Sequence, residues 1–509
     1  MHKNILLLLL PLLLINLSKS TANHISGGEI QCKKIGVDSF EVSLVVFHSC
    51  NGTALTNNKL VTNSIKCSGI IPLTKQYSKD ITPVCDGQCT QCDPSCMTLS
   101  YGINSTKYTG LFYVKNYRLS RCCLVTLSWS ECCIENNLNI DGTSGDMYIE
   151  ASMNICLSGE NSSPIFQENP FSLICLGADL NLNIGAIDGD RNIKQANLSD
   201  SIVYGWTKPK ESAKKELKFL SSYTYNKPIY YLGFPKSGLS YPKGIHLDSI
   251  TGELRFRPIK EGPYLLAIKA EEYRKGVKVG VVNRTFITKV IKCPLNKPPQ
   301  ISNINNSKNR NIEINTCPGK EICFFIQVND TDNTDTLFYS YKSDLPNFSN
   351  KERTKIFSKD SIKICYTPDT TESAFGKFAI DIKLEDNACP IPGTSTKRVF
   401  INLSNPIPPA LSITKNPDGC GGYEFILADK NGGNFSKVRW TIDGKEMASA
   451  GVKMNHTFSS LGTYIVKAES QNCELSSIID TVKITSLPEF NFSGLNDTTI
   501  CSADSILFR

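Results

Sequence analysis

Apolar and polar residues alternate with a period of two along much of the chain. In FEVSLVVF, the residues Phe40, Val42, Leu44 and Val46 fall on one face. Val125, Leu127 and Trp129 do so in LVTLSW, and Tyr264, Leu266, Ile268 and Ala270 in YLLAIKA. The pattern returns with Phe378, Ile380, Ile382 and Leu384, and again with Tyr464, Val466 and Ala468. Successive side chains of a strand point to opposite faces, so this period predicts half-buried strands. Asn, Asp, Gly, Ser and Pro cluster between the runs, as turns require. Only ESAKKELKFL, residues 211–220, carries a brief helical spacing. Short strands separated by turn signals predict an all-β chain of tandem β-sandwiches.

Proline and polar residues accumulate at NSSP (161–164), at 293–299 and at NPIPP (405–409). These clusters predict a leader at 1–22 and a cysteine-rich β domain at 23–160. Sandwiches follow at 161–295, 296–405 and 406–487, and a further β domain begins at 488–509. Short proline-rich linkers act as semi-rigid spacers, so the prediction is an extended array.

Composition changes this picture in two respects. The chain has 509 residues, 40% of them hydrophobic and 20% charged, enough to bury cores. Its formal charge of +7 is small and dispersed, which argues against a nucleic-acid partner. The leader ILLLLLPLLLI (5–15) is shorter than a membrane span and is followed by small residues ending at Ala22. The expected product is a secreted or cell-surface protein that reaches an outer membrane only through another module or partner.

Export sets how the 21 cysteines are read, because oxidising compartments favour disulfides. Cys85, Cys89, Cys92 and Cys96 could hold zinc, but their spacing is not that of a zinc ribbon. The doublets Cys122-Cys123 and Cys132-Cys133 are each expected to bond two different partners, since neighbours on a strand diverge. Within the sandwiches the expected staples are Cys175 with Cys293, Cys323 with Cys365, Cys317 with Cys389 and Cys420 with Cys473. The odd count leaves Cys501 as the expected free thiol, its partner lying in chain beyond Arg509.

Several segments together resemble the large surface proteins of gliding, Bacteroidetes-type bacteria. They are HISGGEI (24–30) with VSLVVFHSCNG (42–52), SWSECCIENNLNI (128–140), NSSPIF (161–166), DSITGELRFRP (248–258), EEYRKGVKVG (271–280) and DNACPIPGTST (386–396). RWTIDGK (439–445) and NHTFSSLGTYIVKAES (455–470) resemble a divergent PKD-type domain. The resemblance implies Ig- or cadherin-like sandwiches, a link to gliding motility, and type IX secretion through a later sorting domain.

Candidate chemistry is sparse. NDTDNTD (329–335) follows a strand and offers Asp330, Asp332 and Asp335, and DGD (188–190) offers Asp188 and Asp190. Both resemble turns of cadherin-like modules, and converging carboxylates supply the hard oxygens that calcium takes. The alternative is a solvated Asn/Asp turn. G-x-S-x-G, H-E-x-x-H and the P-loop are absent from the sequence. The pair Glu271-Glu272 comes with no sign of a cleft. Trp129, Trp206 and Trp440 are expected in cores. The sequence therefore predicts a non-enzymatic adhesion or extension protein with a surface glycan or a protein as partner. The alternative is a spacer for an active module further along a longer chain.

Overall fold

The computed structural model describes residues 24–486 apart from short internal stretches, the longest being 115–122, 190–199 and 233–243. The leader, Asp190, Cys420 and the 488–509 segment with Cys501 lie outside the described residues. Every regular element described is a strand. The alternating runs form as their pattern requires: Phe40, Val42, Leu44 and Val46 are buried in the strand Ser39–Ser49, and Phe378, Ile380, Ile382 and Leu384 in Gly376–Glu385. The segment 211–220 is not helical. It forms a small hairpin, Lys210–Ser212 against Lys215–Glu216, because Lys210 pairs with Tyr148 and extends a sheet.

The chain divides into two compact units, Met1–Asn315 with Glu321–Asn402, and Thr316–Lys320 with Leu403–Arg509. The larger is organised around the strand Val277–Ile291. This strand pairs along its length with Gly262–Arg274, and also with Ile25–Gly36 and Met147–Asn154. Pairing therefore crosses 160/161, where the sequence places a domain boundary: Met153 lies opposite Gly280, and Glu29 opposite Arg284. A second sheet crosses 295/296, since Leu180–Asn183 pairs with both Glu253–Pro258 and Thr394–Leu403. The proline clusters at those positions mark passages between strands. Pairing partners hundreds of residues apart leave no local signal of their own.

The smaller unit is a β-sandwich. Leu411–Pro417, Gly422–Asp429 and Lys453–Thr457 form one sheet; Lys445–Glu446, Val438–Ile442, Gly462–Gln471 and Leu475–Ile484 form the other. Phe425, Leu427, Trp440, Met454, Phe458, Val466 and Ala468 fill the space between them. Asp443 and Gly444 both have positive φ, which lets two residues turn the Val438–Ile442 strand back on Lys445–Glu446.

Disulfides join Cys175 to Cys293 and Cys323 to Cys365, as the sequence predicts. The other two expected staples are replaced. Cys389 bonds Cys85, and Cys317 bonds Cys473. Among the cluster considered for zinc, Cys92 bonds Cys50 and Cys89 bonds Cys96. Cys123 bonds Cys156, whereas Cys132 and Cys133 bond each other. That doublet lies beyond the end of the strand Leu124–Glu131, where the rule that neighbours diverge no longer applies.

Candidate cation site

Asp330 follows the strand Ile322–Asn329, whose alternation carries Phe324, Ile326 and Val328 into the core and drops Asp330 just beneath the surface. The Asp332 amide donates to Asp330 Oδ1 (2.9 Å), and the Asp335 amide to the Asp332 carbonyl (3.1 Å). This turn brings carboxylate oxygens of Asp330, Asp332 and Asp335 within 4.8 Å of one another. The Lys297 amide donates to Asp332 Oδ2 (2.8 Å), fixing the turn against the preceding 296–299 segment.

Another buried carboxylate, outside this group of three, lies on a neighbouring loop. Asp386 follows the strand Gly376–Glu385 and is 0% exposed. Its Oδ1 accepts from the amides of Ala388 (2.9 Å) and Gly393 (2.7 Å), so the side chain closes the 386–393 loop on itself. Its Oδ2 accepts from Asn296 Nδ2 (2.8 Å). The Thr336 amide donates to Asn387 Oδ1 (2.8 Å) and ties the two loops together.

The electrostatics are unbalanced. Burial raises the Asp330 carboxyl above its ordinary value; the hydrogen bond from Asp332 opposes this, and Asp335, Asp386 and Asp332 raise it further. Burial also raises Asp386, against its hydrogen bonds from Asn296, Ala388 and Gly393 and with a contribution from Asp335. Asp330 is 7% exposed, and its Oδ2 is shielded from solvent without a hydrogen-bond partner. Among the described residues, no lysine or arginine forms an ion pair with any of the four. A buried carboxylate oxygen without a donor is costly. Oxygen-only donors suit a hard divalent cation such as calcium, so the donor set fits that ion.

The second sequence candidate is built differently. Asp188 is buried with Asp200 and Glu272, their carboxylate oxygens within 4.8 Å of one another. Here the protein supplies its own cation: Arg274 donates to both oxygens of Asp200 (2.7 Å each) and to Asn161 Oδ1 (2.6 Å). Asn161 Nδ2 in turn donates to Glu272 Oε2 (2.6 Å). The adjacent carboxylates Glu271 and Glu272 are separated, since Glu271 pairs with Lys269 (2.9 Å) and Lys278 (3.2 Å). His48 is held by the Ser49 carbonyl and Thr106 Oγ1, and burial lowers its pKa.

Sequence reasoning missed Asp386. It lies 51 residues or more beyond the NDTDNTD turn, in a segment noted only for its resemblance to a family motif. The one local signal is an aspartate directly after an alternating run, the context shared by Asp330. Beside the cluster is a cavity of about 230 Å³ whose wall includes Phe171, Leu182, Ile391, Asn296, Glu385 and Gly393.

No protein-family model matches the chain, and neither does any curated protein sequence. Among solved structures, the chain is similar to the N-terminal four Ig domains of Dscam1 isoform 4.44. Identity is 11%, coverage 90% of this chain and 99% of that one, and the TM-score 0.19. It is also similar to domains A168–A170 of titin (10% identity, 63% and 98% covered, TM-score 0.23). For Drosophila N-cadherin EC1-4 the values are 10%, 84% and 92%, and 0.18. At TM-scores this low, the reading of this chain rests on its own strands and side chains.

Proposed function

We propose that the chain is a non-enzymatic, extracellular surface protein that works by extension and contact, and that a calcium ion held by Asp330, Asp332 and Asp335 rigidifies it. The observation that carries the reading is the buried Asp330 Oδ2, partnerless beside the carboxylates of Asp332 and Asp335. A divalent cation would supply the counter-charge that the protein does not. Disulfides spread from Cys50 to Cys473 support a working place in an oxidising compartment. No helix of the described residues is long and apolar enough to cross a membrane.

The finer reading rests on sequence motifs. It is a bacterial surface protein of the gliding type, exported by type IX secretion, with a PKD-type smaller unit and a glycan or protein partner. Calorimetric titration with calcium tests the cation reading. The whole chain should release or absorb heat at one site, and Asp332→Ala should abolish the signal. No heat at millimolar calcium would remove the ion from the proposal. A glycan array and a pull-down against surface proteins test contact.

A further inference from the structure

The strands Gln300–Ile304, Ile322–Asn329 and Ser361–Tyr366 form a three-stranded sheet in the larger unit. Its inner face is apolar: Phe324, Ile326, Ile362 and Ile364 are all buried. The register lays out the outer face. Asn303, Gln327 and Ser361 make one cross-strand row, and Phe325 and Lys363 the next. Phe325 is 48% exposed, an aromatic ring left in water amid polar side chains. Beside this face, Ile304 and Ser307 exchange two backbone hydrogen bonds (3.1 and 2.9 Å) around Asn305 and Asn306, both at positive φ. The turn is locked to the strand, since the Phe325 amide donates to Asn305 Oδ1 (2.9 Å) and the Asn305 amide to the Phe325 carbonyl (2.9 Å). Asn303, Asn305, Asn306, Phe325, Gln327 and Ser361 line a hollow of about 460 Å³. None of these residues carries a charge.

We propose that this hollow binds a neutral glycan, with one pyranose ring stacked on Phe325 and its hydroxyls bonded by the surrounding carboxamides. The proposal rests on the contact reading above and gives its glycan partner a site. A pyranose is amphipathic: the C–H groups of its ring face are apolar, and the hydroxyls at its rim both donate and accept. The Phe325 ring matches the first. Carboxamides and a hydroxyl, which also donate and accept, match the second. Gln327 uses its Oε1 to accept from Asn303 Nδ2, and Asn305 uses its Oδ1 on the Phe325 amide. The NH2 group of each is left to donate to a ligand. A charged ligand would meet no counter-charge in the lining. Lys363 Nζ stands 5.8 Å from the centre of the Phe325 ring, and its long exposed side chain can swing aside for a sugar.

The hollow is held in shape before a ligand arrives. The Asn305-Asn306 turn is bonded to the Phe325 backbone, and the Cys323–Cys365 disulfide ties the Phe325 strand to the Ser361–Tyr366 strand. A preformed site avoids the cost of ordering side chains on binding. One stacked ring still gives modest affinity. A repeating glycan offers the same ring many times, so dense display strengthens the contact through effective concentration.

The test applies the whole chain to an array of neutral and acidic oligosaccharides, then titrates the best-bound neutral one by calorimetry. Phe325→Ala should weaken binding about tenfold, and Gln327→Ala about threefold. Tyr77→Ala, which removes an aromatic 52% exposed on another strand, should bind as the unaltered protein does. Phe325→Trp should also bind, and its indole emission should shift as the oligosaccharide saturates; this arm stands even where Phe325→Ala fails to fold. Glycan binding that ignores both Phe325→Ala and Gln327→Ala, or an indole emission that ignores the bound sugar, overturns the site and leaves the glycan partner intact. Binding confined to acidic oligosaccharides overturns the neutral class. Absence of binding by the unaltered protein to any oligosaccharide on the array overturns the glycan partner, and the site with it.

Discussion

A Cβ at Gly393 would sit 2.8 Å from Asn296 Nδ2 and 2.9 Å from Pro298 Cα, too close to both. Gly393→Ala must therefore push the 386–393 loop off Asn296, leaving buried polar groups of the cluster short of partners. The expected cost is about 1–3 kcal/mol of unfolding free energy, measured by denaturant titration, together with weakened calcium binding. The same carboxylates predict a pH effect. Values raised in the folded state mean that the folded chain holds these protons more tightly than the unfolded chain. Stability of the calcium-free protein should then fall as pH rises through the window just above the ordinary carboxylate range, and recover on acidification through it. Saturating calcium should flatten this slope. Melting curves with calcium and with a chelator, compared across that window, measure the difference; identical slopes would contradict calcium binding at the Asp330 turn.

At the scale of the element, strands were legible and their partners were not. Period-two runs located the strands Ser39–Ser49, Gly262–Arg274 and Gly376–Glu385 because burial on one face leaves a mark on every second residue. The short hairpin within 211–220 was missed because its register is imposed by Tyr148, far away in sequence. The three clustered carboxylates could be read, since Asp330, Asp332 and Asp335 share one turn; Asp386 arrives beside them on another loop by tertiary packing. Cys175 and Cys293 could be paired because they sit near the two ends of one expected sandwich. Cys317 could not, because its partner Cys473 is 156 residues on. Trp440 was expected in a core and is 0% exposed, its Nε1 donating to the Gly451 carbonyl (2.9 Å). Trp440→Ala should cost about 3–5 kcal/mol by leaving a cavity between the two sheets, read from denaturation of the 403–486 sandwich followed by circular dichroism.

Across the whole molecule, disulfides and sheets both connect remote stretches of chain. Non-reducing peptide mapping should recover Cys85 with Cys389 and Cys317 with Cys473; finding Cys317 linked to Cys389 would refute this arrangement. The pairing of Glu29 with Arg284 belongs to the same long-range order, both side chains being buried between strands that lie side by side. Chains are made from the N-terminus onward. The strand Ile25–Gly36 therefore meets its hairpin partner almost at once but waits for its other neighbour, with Glu29 and Arg284 separated by 255 residues. During that wait it is the open edge of a nascent sheet, the kind of surface on which another chain could add. A carboxylate at Glu29 makes that edge a poor template for foreign strands, and Arg284, when it arrives, is the guanidinium that makes it a good one. The residue that joins the finished sheet is thus also the guard of the unfinished one.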